Sequence, residues 1–374
     1  LRVGFYLVLS FLKKNILKKK EIIINSYNLA EMINVCKNLN LKPIFPKLNK
    51  NIFISENDLK KRLNKQTIAV VVTNIFNSSE EIIKIRKICK QKKICLIEDN
   101  AIYFGNYRKR GNKKFFSGSF GDFSLHSFNI MKNISGMYGG SVSTNDKLFY
   151  EYSNHQMKRF IKFPKIKYIK QCMTYIILKI LSLDFLYKYI FINIISWSHK
   201  TKNKFLFSMM YPTIKFKKGR HNKNFYTKMS QFSEKIILQQ LIDLKKFKQE
   251  YHARKKNNLY YEKLFGKIKN KNFDIIKIKE KNFQNFNEYP IIVKNKYLKL
   301  KLINYLLDRG IETKIIQYAD CDKIFGNKIK ISSNNYQDRI ICFPNHPKIN
   351  QNYIAFISYN MNNFFKRLNE QRSL

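Results

Sequence analysis

The chain has 374 residues, 44% of them apolar, which is enough to bury a large core and to form two domains. Its formal net charge of +47 comes from 60 lysines and only 12 arginines, spread over the whole sequence. Specific recognition of bases or phosphates favours concentrated arginine, so the composition argues against a protein that recognises specific nucleic acids. The six cysteines have no C-x-x-C spacing, so we expect neither a metal site nor a disulfide framework. Without a signal-peptide pattern, the expected location is the cytoplasm.

The first part of the sequence alternates between apolar runs of strand length and segments of helical character. A helix is predicted around residues 5–12, and strand-like runs follow at residues 21–26, 41–45 and 68–72. Alternating strands and helices are typical of a mostly parallel sheet covered by helices. We therefore expect an α/β fold.

The segment from residue 94 to residue 146 carries the polar side chains with the clearest functional pattern. Residues 94–97 form a short apolar run, typical of a strand that is buried on both faces, and Glu98 and Asp99 follow it directly. In open α/β sheets, ligands bind at the carboxyl ends of the strands. Asp99 is therefore predicted to lie in a binding site.

A second apolar run leads to a lysine. The run at residues 123–128 contains Ser127 near its end, and Lys132 follows a few residues later. Gly139-Gly140 then turn the chain into a third short strand at residues 141–143. The order is thus strand, aspartate, loop, strand, serine, lysine, paired glycines and strand.

Pyridoxal phosphate is a cofactor that needs this set of groups. A lysine holds it as a Schiff base, and an acidic partner binds its pyridine nitrogen. A carboxylate such as Asp99 would keep that nitrogen protonated, and the hydroxyl of Ser127 could reach the cofactor phosphate. Each residue alone has an ordinary interpretation: Lys132 as a surface lysine, Asp99 as a turn or capping residue, Ser127 as a small strand residue. Their combination favours the cofactor site.

Four short segments also resemble a known family: Ile97-Glu98-Asp99-Asn100-Ala101, Gly118-Ser119-Phe120-Gly121-Asp122, Ser127-Phe128-Asn129-Ile130-Met131-Lys132 and Gly139-Gly140. In this order and spacing they resemble the DegT/DnrJ/EryC1/StrS aminotransferases. The resemblance implies a fold-type-I transferase that depends on pyridoxal 5'-phosphate. Its large domain would have three layers around a mostly parallel sheet, and a small α/β C-terminal domain would follow. Such enzymes mostly aminate nucleotide-linked keto sugars, usually with glutamate as the amino donor, and they form homodimers.

The resemblance assigns a role to four residues. Asp99 would be the partner of the pyridine nitrogen, Lys132 the Schiff-base lysine and Ser127 a phosphate ligand. The family often stacks an aromatic ring on the cofactor at the position of Leu29 in this chain. Tyr27 is the candidate that would replace that ring.

Besides Leu29, three further positions depart from the family pattern. A Gly-Thr or Gly-Arg turn that holds the cofactor phosphate precedes the first helix in the family, and here the corresponding residues lie near Leu1 to Gly4. Ile102 stands where the family commonly has Gln or His, and an isoleucine packs but does not form a hydrogen bond. Phe225 stands where an asparagine of the family reaches across the dimer, so that role is not transferred.

Residues 147–225 resemble the family least, because the family crosses this interval with a much shorter connection. Residues 166–197 are rich in Ile, Leu, Phe and Tyr, yet they contain too many polar residues for a membrane-spanning helix. A cap at Ser182 or Asp184 would divide the segment into two helices. Lysines crowd both flanks, so the pair could lie on an anionic membrane surface. We favour the alternative, a helical insertion packed on its own domain or on a dimer partner.

The rest of the chain predicts the small domain. Residues 226–265 predict one long helix, whose start resembles the Asn-Tyr-Arg-Met-Ser segment of the family. Alternating strand and helix patterns follow at residues 289–293, 296–307 and 340–344. We therefore expect a large cofactor-binding domain at residues 1–240 and a small C-terminal domain at residues 241–374.

Three functional hypotheses follow. The first is an aminotransferase in which the released amine of Lys132 moves a proton, with a nucleotide-linked keto sugar as acceptor and a product for surface polysaccharide. The second is a catalytically degenerate relative that serves as a binding or scaffolding subunit, which would lack the absorbance of a lysine-bound cofactor. The third is a charge-driven nucleic-acid or membrane-surface protein, whose tight binding would persist at physiological salt.

Overall fold

The computed structural model describes most of the chain. The described residues are 1–16, 18–76, 79–102, 104–110, 112–130, 132–201, 219, 225–268, 270–276, 287–314, 318–326 and 335–373.

The described helices are, in chain order, α1 (Arg2–Asn15), α2 (Ala30–Asn38), α3 (Glu56–Arg62), α4 (Ser79–Gln91), α5 (Lys147–Lys158), α6 (Lys165–Leu181), α7 (Asp184–Leu186), a π-helical turn (Tyr187–Phe191), α8 (Ile192–Thr201), α9 (Gln231–Ile242), α10 (Lys245–Phe265), α11 (Lys296–Leu307), α12 (Cys321–Phe325), a 3₁₀ turn (Tyr336–Asp338) and α13 (Gln351–Ser373). The strands are β1 (Glu21–Ile24), β2 (Tyr27–Asn28), β3 (Lys42–Ile44), β4 (Thr67–Thr73), β5 (Cys95–Asp99), β6 (Tyr107–Arg110), β7 (Lys113–Phe116), β8 (Phe123–Ser127), β9 (Gly140–Thr144), β10 (Phe273–Ile275), β11 (Glu288–Val293), β12 (Ala319–Asp320) and β13 (Ile340–Pro344).

The larger sheet has six strands in the order β3-β1-β4-β5-β8-β9. All neighbours are parallel except β8 and β9, which are antiparallel. The register sets Asp99 beside Thr73 on one side and beside Leu125 on the other, and it pairs Ser127 with Gly140. The carboxyl ends of β5 and β8 therefore meet at one edge of the sheet, as predicted for a mostly parallel α/β fold.

Apolar residues cover both faces of this sheet. Along β4, Ala69 and Val71 belong to a core shared with α1 and α2, whereas Val70 and Val72 belong to a second core shared with α4. Successive side chains of a strand point to opposite faces, so a continuous apolar run must be covered on both sides. The three layers expected for the large domain are confirmed.

The C-terminal half forms a second, antiparallel sheet in the order β10-β11-β13. Its core unites apolar side chains of its strands with those of α8, α10, α11 and α13, and includes Tyr261, Phe265 and Tyr289. Tyr261 and Tyr289 stack with their ring centroids 4.9 Å apart. The division at residue 240 stays a prediction.

The prediction of one long helix over residues 226–265 was wrong. Two helices are found instead, because Ser230 caps α9 by accepting a hydrogen bond from the backbone N–H of Ser233 at 3.0 Å. Asp243 then interrupts the helix, since its carboxylate accepts a hydrogen bond from the N–H of Lys245 at 3.0 Å. Competition of such side chains with the helical backbone ends α9 and starts α10.

Residues 165–201 contain the expected pair of helical segments, α6 and the run from α7 to α8, but neither predicted residue caps the second one. The hydroxyl of Ser182 donates to the carbonyl of Leu178 at 2.6 Å, so it closes the end of α6. Asp184 is the first residue of α7 rather than its cap. Among the described helices, none is long and apolar enough to cross a bilayer.

Candidate active site

Asp99 is the last residue of β5 and is 2% exposed. One of its carboxylate oxygens accepts a hydrogen bond from the N–H of Ala101 at 3.1 Å, and its carbonyl accepts one from the N–H of Asn74 at 3.0 Å. Burial raises the pKa of Asp99 to about 6, while the Ala101 N–H and the charge of Lys132 act in the opposite direction. A carboxylate is thus held out of water at the carboxyl end of a central strand.

Lys132 follows β8 and is half-buried, with its backbone N–H donating to the carbonyl of Asn129 at 3.0 Å. Burial, followed by the charge of Lys314, lowers the pKa of Lys132 to about 8, while Asp99 and Glu288 act in the opposite direction. Lys132 and Asp99 are therefore close enough for each charge to change the pKa of the other. The structure brings these two predicted residues together.

Ser127 ends β8 beside Gly140, next to the first turn of α1. A Cβ on Gly140 would lie 2.2 Å from the backbone nitrogen of Leu1, so the close approach of these two segments of the chain requires glycine. The first N–H groups of a helix have no partner inside it and attract anions. The hydroxyl of Ser127 and the start of α1 thus border the same edge of the sheet as Asp99.

A buried network of polar side chains surrounds Asn100, the residue after the end of β5. The side-chain amide of Asn74 donates to the amide oxygen of Asn100 at 2.6 Å, and Asn100 donates to the hydroxyl of Ser124 at 2.9 Å. Ser124 in turn lies 3.0 Å from Nε2 of His126. Burial lowers the pKa of His126 to about 4, so its ring is neutral at physiological pH. These bonds fix Asn100, and with it the chain that leaves Asp99.

The loop between β7 and β8 is fixed by Glu98, which is 1% exposed. Its carboxylate accepts hydrogen bonds from the backbone N–H groups of Gly118 at 3.1 Å, Phe120 at 2.7 Å and Gly121 at 2.6 Å. Three backbone donors in one loop are thereby satisfied by a single side chain. Glu98 therefore orients the loop, while the carboxylate of its neighbour Asp99 accepts a hydrogen bond from Ala101.

The C-terminal half adds residues that the sequence did not indicate. Glu288 of β11 and Lys314 form an ion pair. Both charges change the pKa of Lys132: Lys314 lowers it and Glu288 raises it. Burial alone would raise the pKa of Glu288, but the charge of Lys314 and its hydrogen bond lower it. Tyr318 lies near both Asp99 and Glu288, and burial raises its pKa.

Arg254 of α10 is a further cation close to the lysine. Its guanidinium donates to the side-chain oxygen of Asn133 at 2.9 Å, directly after Lys132 in the chain. Burial lowers the pKa of Arg254, and Glu250 acts in the opposite direction at 3.4 Å. No local motif marks this arginine in the sequence.

The predicted aromatic partner, Tyr27, is 1% exposed. Its ring centroid lies 5.5 Å from that of Tyr318 and 6.1 Å from that of Tyr336. Burial raises the pKa of Tyr27 well above its ordinary value. Tyr27 thus packs behind Tyr318, which is the ring nearer to Asp99, and its contact with a cofactor stays a prediction.

Two of the family departures have apolar surroundings. Ile102 packs against the second core with Phe120 and Tyr318. Phe225 lies in an aromatic group beside α1, with its ring centroid 6.1 Å from Tyr6 and 5.2 Å from Tyr226. Both side chains fill space rather than offer a hydrogen bond.

The donor set fits pyridoxal phosphate. A buried carboxylate suits a protonated pyridine nitrogen, a lysine of lowered pKa suits an aldehyde, and a hydroxyl beside a helix start suits a phosphate. Asp99, Lys132 and Ser127 supply these three groups. Among the described residues, no group of three or more His, Cys, Asp or Glu side chains is arranged to hold a metal ion.

Known proteins resemble this chain in sequence. The profile of the DegT/DnrJ/EryC1/StrS aminotransferase family matches residues 4–165 and 203–361. The GDP-perosamine synthase of Vibrio cholerae is 29% identical over 150 residues, which are 40% of this chain and 39% of that protein. The chain thus aligns with only about two fifths of the length of such curated relatives.

Solved structures of low sequence identity share the fold. Helicobacter pylori PseC, an aminotransferase involved in the biosynthesis of pseudoaminic acid, superposes with a TM-score of 0.70 at 19% identity, over 98% of this chain and 85% of that one. The PLP-form of the putative sugar aminotransferase Spr1654 from Streptococcus pneumoniae gives 0.65 at 15% identity, over 98% and 85%. The predicted fold class is confirmed, and the profile covers most of the sequence. The chain belongs to the DegT/DnrJ/EryC1/StrS aminotransferase family.

Proposed function

We propose that this protein is a pyridoxal-phosphate-dependent aminotransferase. It would move an amino group from an amino acid such as glutamate to a nucleotide-linked keto sugar, as a step toward surface polysaccharide. The observation that carries the proposal is the proximity of the buried Asp99 carboxylate and the Lys132 amine at the carboxyl ends of β5 and β8.

The cofactor would be held by groups of the large domain. Lys132 would attach it covalently, Asp99 would bind its pyridine nitrogen, and Ser127 with the first turn of α1 would bind its phosphate. Tyr27 would support the cofactor site through Tyr318, against which its ring packs. When bound, pyridoxal phosphate supplies an aldehyde that accepts the amino group and a ring that takes up an electron pair.

Lys132 has the second task of moving a proton. A pKa of about 8 leaves a substantial share of its amine neutral near physiological pH, which an ordinary lysine does not achieve. The free amine takes a proton from the α-carbon of the amino donor and returns one to the carbon that becomes aminated. Asp99 stays ionised above a pH of about 6, so it keeps its charge throughout.

The cations near Lys132 support anionic substrates. Lys314 and Arg254 both lie in the region of the lysine, and Arg254 offers the planar fork that suits a carboxylate. An amino donor carries a carboxylate, and a nucleotide-linked sugar carries phosphates. The name of the Vibrio cholerae relative, a GDP-perosamine synthase, supports the same class of acceptor.

The working unit would be a homodimer in the cytoplasm, and residues 166–197 would be the part that contacts membranes. Support for the dimer comes from α9, whose amide side chain Gln240 bonds to the backbone of Ser135 in the loop after Lys132. The same helix exposes Phe232, Leu238 and Ile242, with Ile242 87% exposed. An apolar face on the helix that supports the site loop suits a subunit interface.

Substitution of the lysine tests the reaction. Lys132→Ala is expected to lose the visible absorbance of the lysine-bound cofactor and all amination, because no covalent anchor remains. Lys92→Ala, which removes an exposed lysine between α4 and the amino end of β5, is the matched control and keeps both. A covalent cofactor adduct that maps to another lysine in Lys132→Ala would refute the proposal. A wild-type protein that never takes up the cofactor would favour the degenerate relative instead.

A further inference from the structure

Helix α6 carries an apolar stripe that faces away from the protein. None of its 17 residues, all of them described, is buried. The stripe consists of positions that recur every three or four residues, and so lie on one side of a helix. Its members are 48% to 80% exposed: Ile166, Ile169, Met173, Ile176, Ile177 and Ile180.

The opposite side of α6 is the one that contacts the protein. The ring of Tyr168 meets that of Phe232 with centroids 5.3 Å apart, and Gln171 accepts a hydrogen bond from the hydroxyl of Tyr138 at 3.0 Å. At about 100° per residue, Tyr168 and Gln171 lie roughly opposite the stripe. The apolar stripe is therefore not the packing face of the helix.

Lysines border the stripe on both sides. With about 100° between successive residues, Lys167 and Lys170 lie along one border, and Lys165 and Lys179 lie along the other. All four are exposed. Long basic side chains beside an apolar strip are the arrangement that helices use at the surface of an anionic membrane.

The next helical segment continues the apolar exposure. Phe185 is 69% exposed, Tyr189 56% and Trp197 53%. Tyr and Trp are the residues that concentrate at the boundary between lipid and water. On its inner side, this segment is anchored because Ile192 and Ile195 of α8 belong to the core of the C-terminal sheet. Within one chain, α8 packs on the C-terminal core, whereas α6 buries none of its residues, and packing of α6 on a dimer partner stays a prediction.

Either a second copy of the chain or a lipid surface could cover the stripe, and the charge of the segment decides between them. Residues 165–201 contain six lysines and a single acidic residue, Asp184. A second copy seated on the same surface would place lysines opposite lysines, with almost no carboxylate to pair with them. An anionic lipid surface offers negative charge for the lysines and apolar chains for the stripe. No described helix crosses a bilayer, so contact would be in the plane of the surface.

We infer that residues 165–201 form an amphipathic arm that seats the enzyme on an anionic lipid surface, with the stripe of α6 and the ring of Trp197 in the lipid headgroup region. This contact is independent of the aminotransferase chemistry.

Trp197 is the sole tryptophan of the chain and therefore reports on the arm alone. The full protein is mixed with vesicles of equal parts phosphatidylglycerol and phosphatidylcholine at about 0.15 M salt, where adsorption of dispersed lysines is screened. We expect flotation with these vesicles, a blue shift of the tryptophan emission, and quenching by brominated acyl chains. Vesicles of phosphatidylcholine alone should give none of the three.

Matched variants separate the stripe from general charge. The triple variant Ile169→Asp, Met173→Asp and Ile177→Asp should reduce the vesicle-bound fraction at least about tenfold and abolish the quenching. A control triple, Leu148→Asp, Leu300→Asp and Tyr359→Asp, changes exposed side chains elsewhere by the same charge and should keep both. Far-ultraviolet circular dichroism verifies that each variant is folded.

Three outcomes would overturn the inference. Flotation without quenching would mean that the basic surface adsorbs but the arm does not insert. Unchanged flotation of the stripe variant would place the lipid contact elsewhere. A blue-shifted emission without vesicles, lost together with dimers in the stripe variant, would show that a second copy covers the arm.

Discussion

At the scale of single residues, the site keeps charges where the folded chain would be more stable without them. Burial raises the pKa of Asp99 from 3.8 to about 6. A carboxyl with a raised pKa contributes its stability at low pH and loses it as the pH rises through the folded value. Ionised Asp99 therefore costs the folded apoprotein about 3 kcal/mol of unfolding free energy at neutral pH. That charge is useful only when a cation binds beside it.

We expect Asp99→Asn to stabilise the apoprotein and to impair the reaction. The free energy of unfolding should rise by about 1 to 3 kcal/mol at pH 7, with the gain vanishing below about pH 4, because the amide needs no charge in the interior. The half-reaction with glutamate should slow by roughly two powers of ten. Chemical unfolding across pH and stopped-flow absorbance measure the two effects. The exposed Asp274→Asn is the control, and equal behaviour of both variants would return Asp99 to a turn-forming role.

Lys314→Met tests how the pKa of Lys132 is set. The variant removes a cation that lowers this pKa and leaves Glu288 without its ion-pair partner, and both changes favour the charged form of Lys132. The pH midpoint for covalent uptake of pyridoxal phosphate should therefore move upward by about one unit from about 8. Uptake is followed by visible absorbance over a pH series, with the exposed Lys294→Met as control. An unmoved midpoint would show that burial alone depresses the pKa.

At the scale of elements, Glu98 joins β5 to the loop before β8. Glu98→Gln replaces one accepting oxygen with an amide nitrogen that meets a backbone donor at Gly118 or at Phe120 and Gly121. We expect a loss of about 1 to 3 kcal/mol of unfolding free energy, and a larger loss for Glu98→Ala. Thermal unfolding ranks the stability of the wild type, Glu98→Gln and Glu98→Ala. As a control, Glu151→Gln at an exposed position should be as stable as the wild type. If Glu98→Ala were equally stable, the loop would keep its conformation without the Glu98 carboxylate.

The sequence predicted the parts of the site that lie within one supersecondary unit. Asp99 and Ser127 end strands whose apolar runs are visible in the residues, and Lys132 follows at a short spacing. Glu288 and Lys314 could not be found in this way, because they come from more than 150 residues further along the chain. The exposed face of α6 was equally hidden, since the same periodicity suits a buried and an outward stripe.

At the scale of the whole molecule, two exposed apolar surfaces call for different partners. The stripe of α6 is bordered by lysines, whereas the face of α9 lies on the helix that supports the loop after Lys132. We expect Leu238→Asp with Ile242→Asp to convert dimers to monomers and to reduce amination at least about tenfold, because charge at a subunit core is not tolerated. Analytical ultracentrifugation with an activity assay measures both. Leu259→Asp, on an exposed face of α10, should remain dimeric; a wild-type monomer would refute the homodimer.

The two-residue strand β2 has a consequence for how the protein is made. Tyr27 and Asn28 pair with Asp320 and Ala319 of β12, almost three hundred residues later in the chain. A ribosome that has synthesised the first three hundred residues has already released Asp99 and Lys132, yet the tyrosine and the ion pair that surround them are incomplete. The surroundings of Asp99 and Lys132 are therefore complete only after residue 320 has been synthesised and β12 has paired with β2.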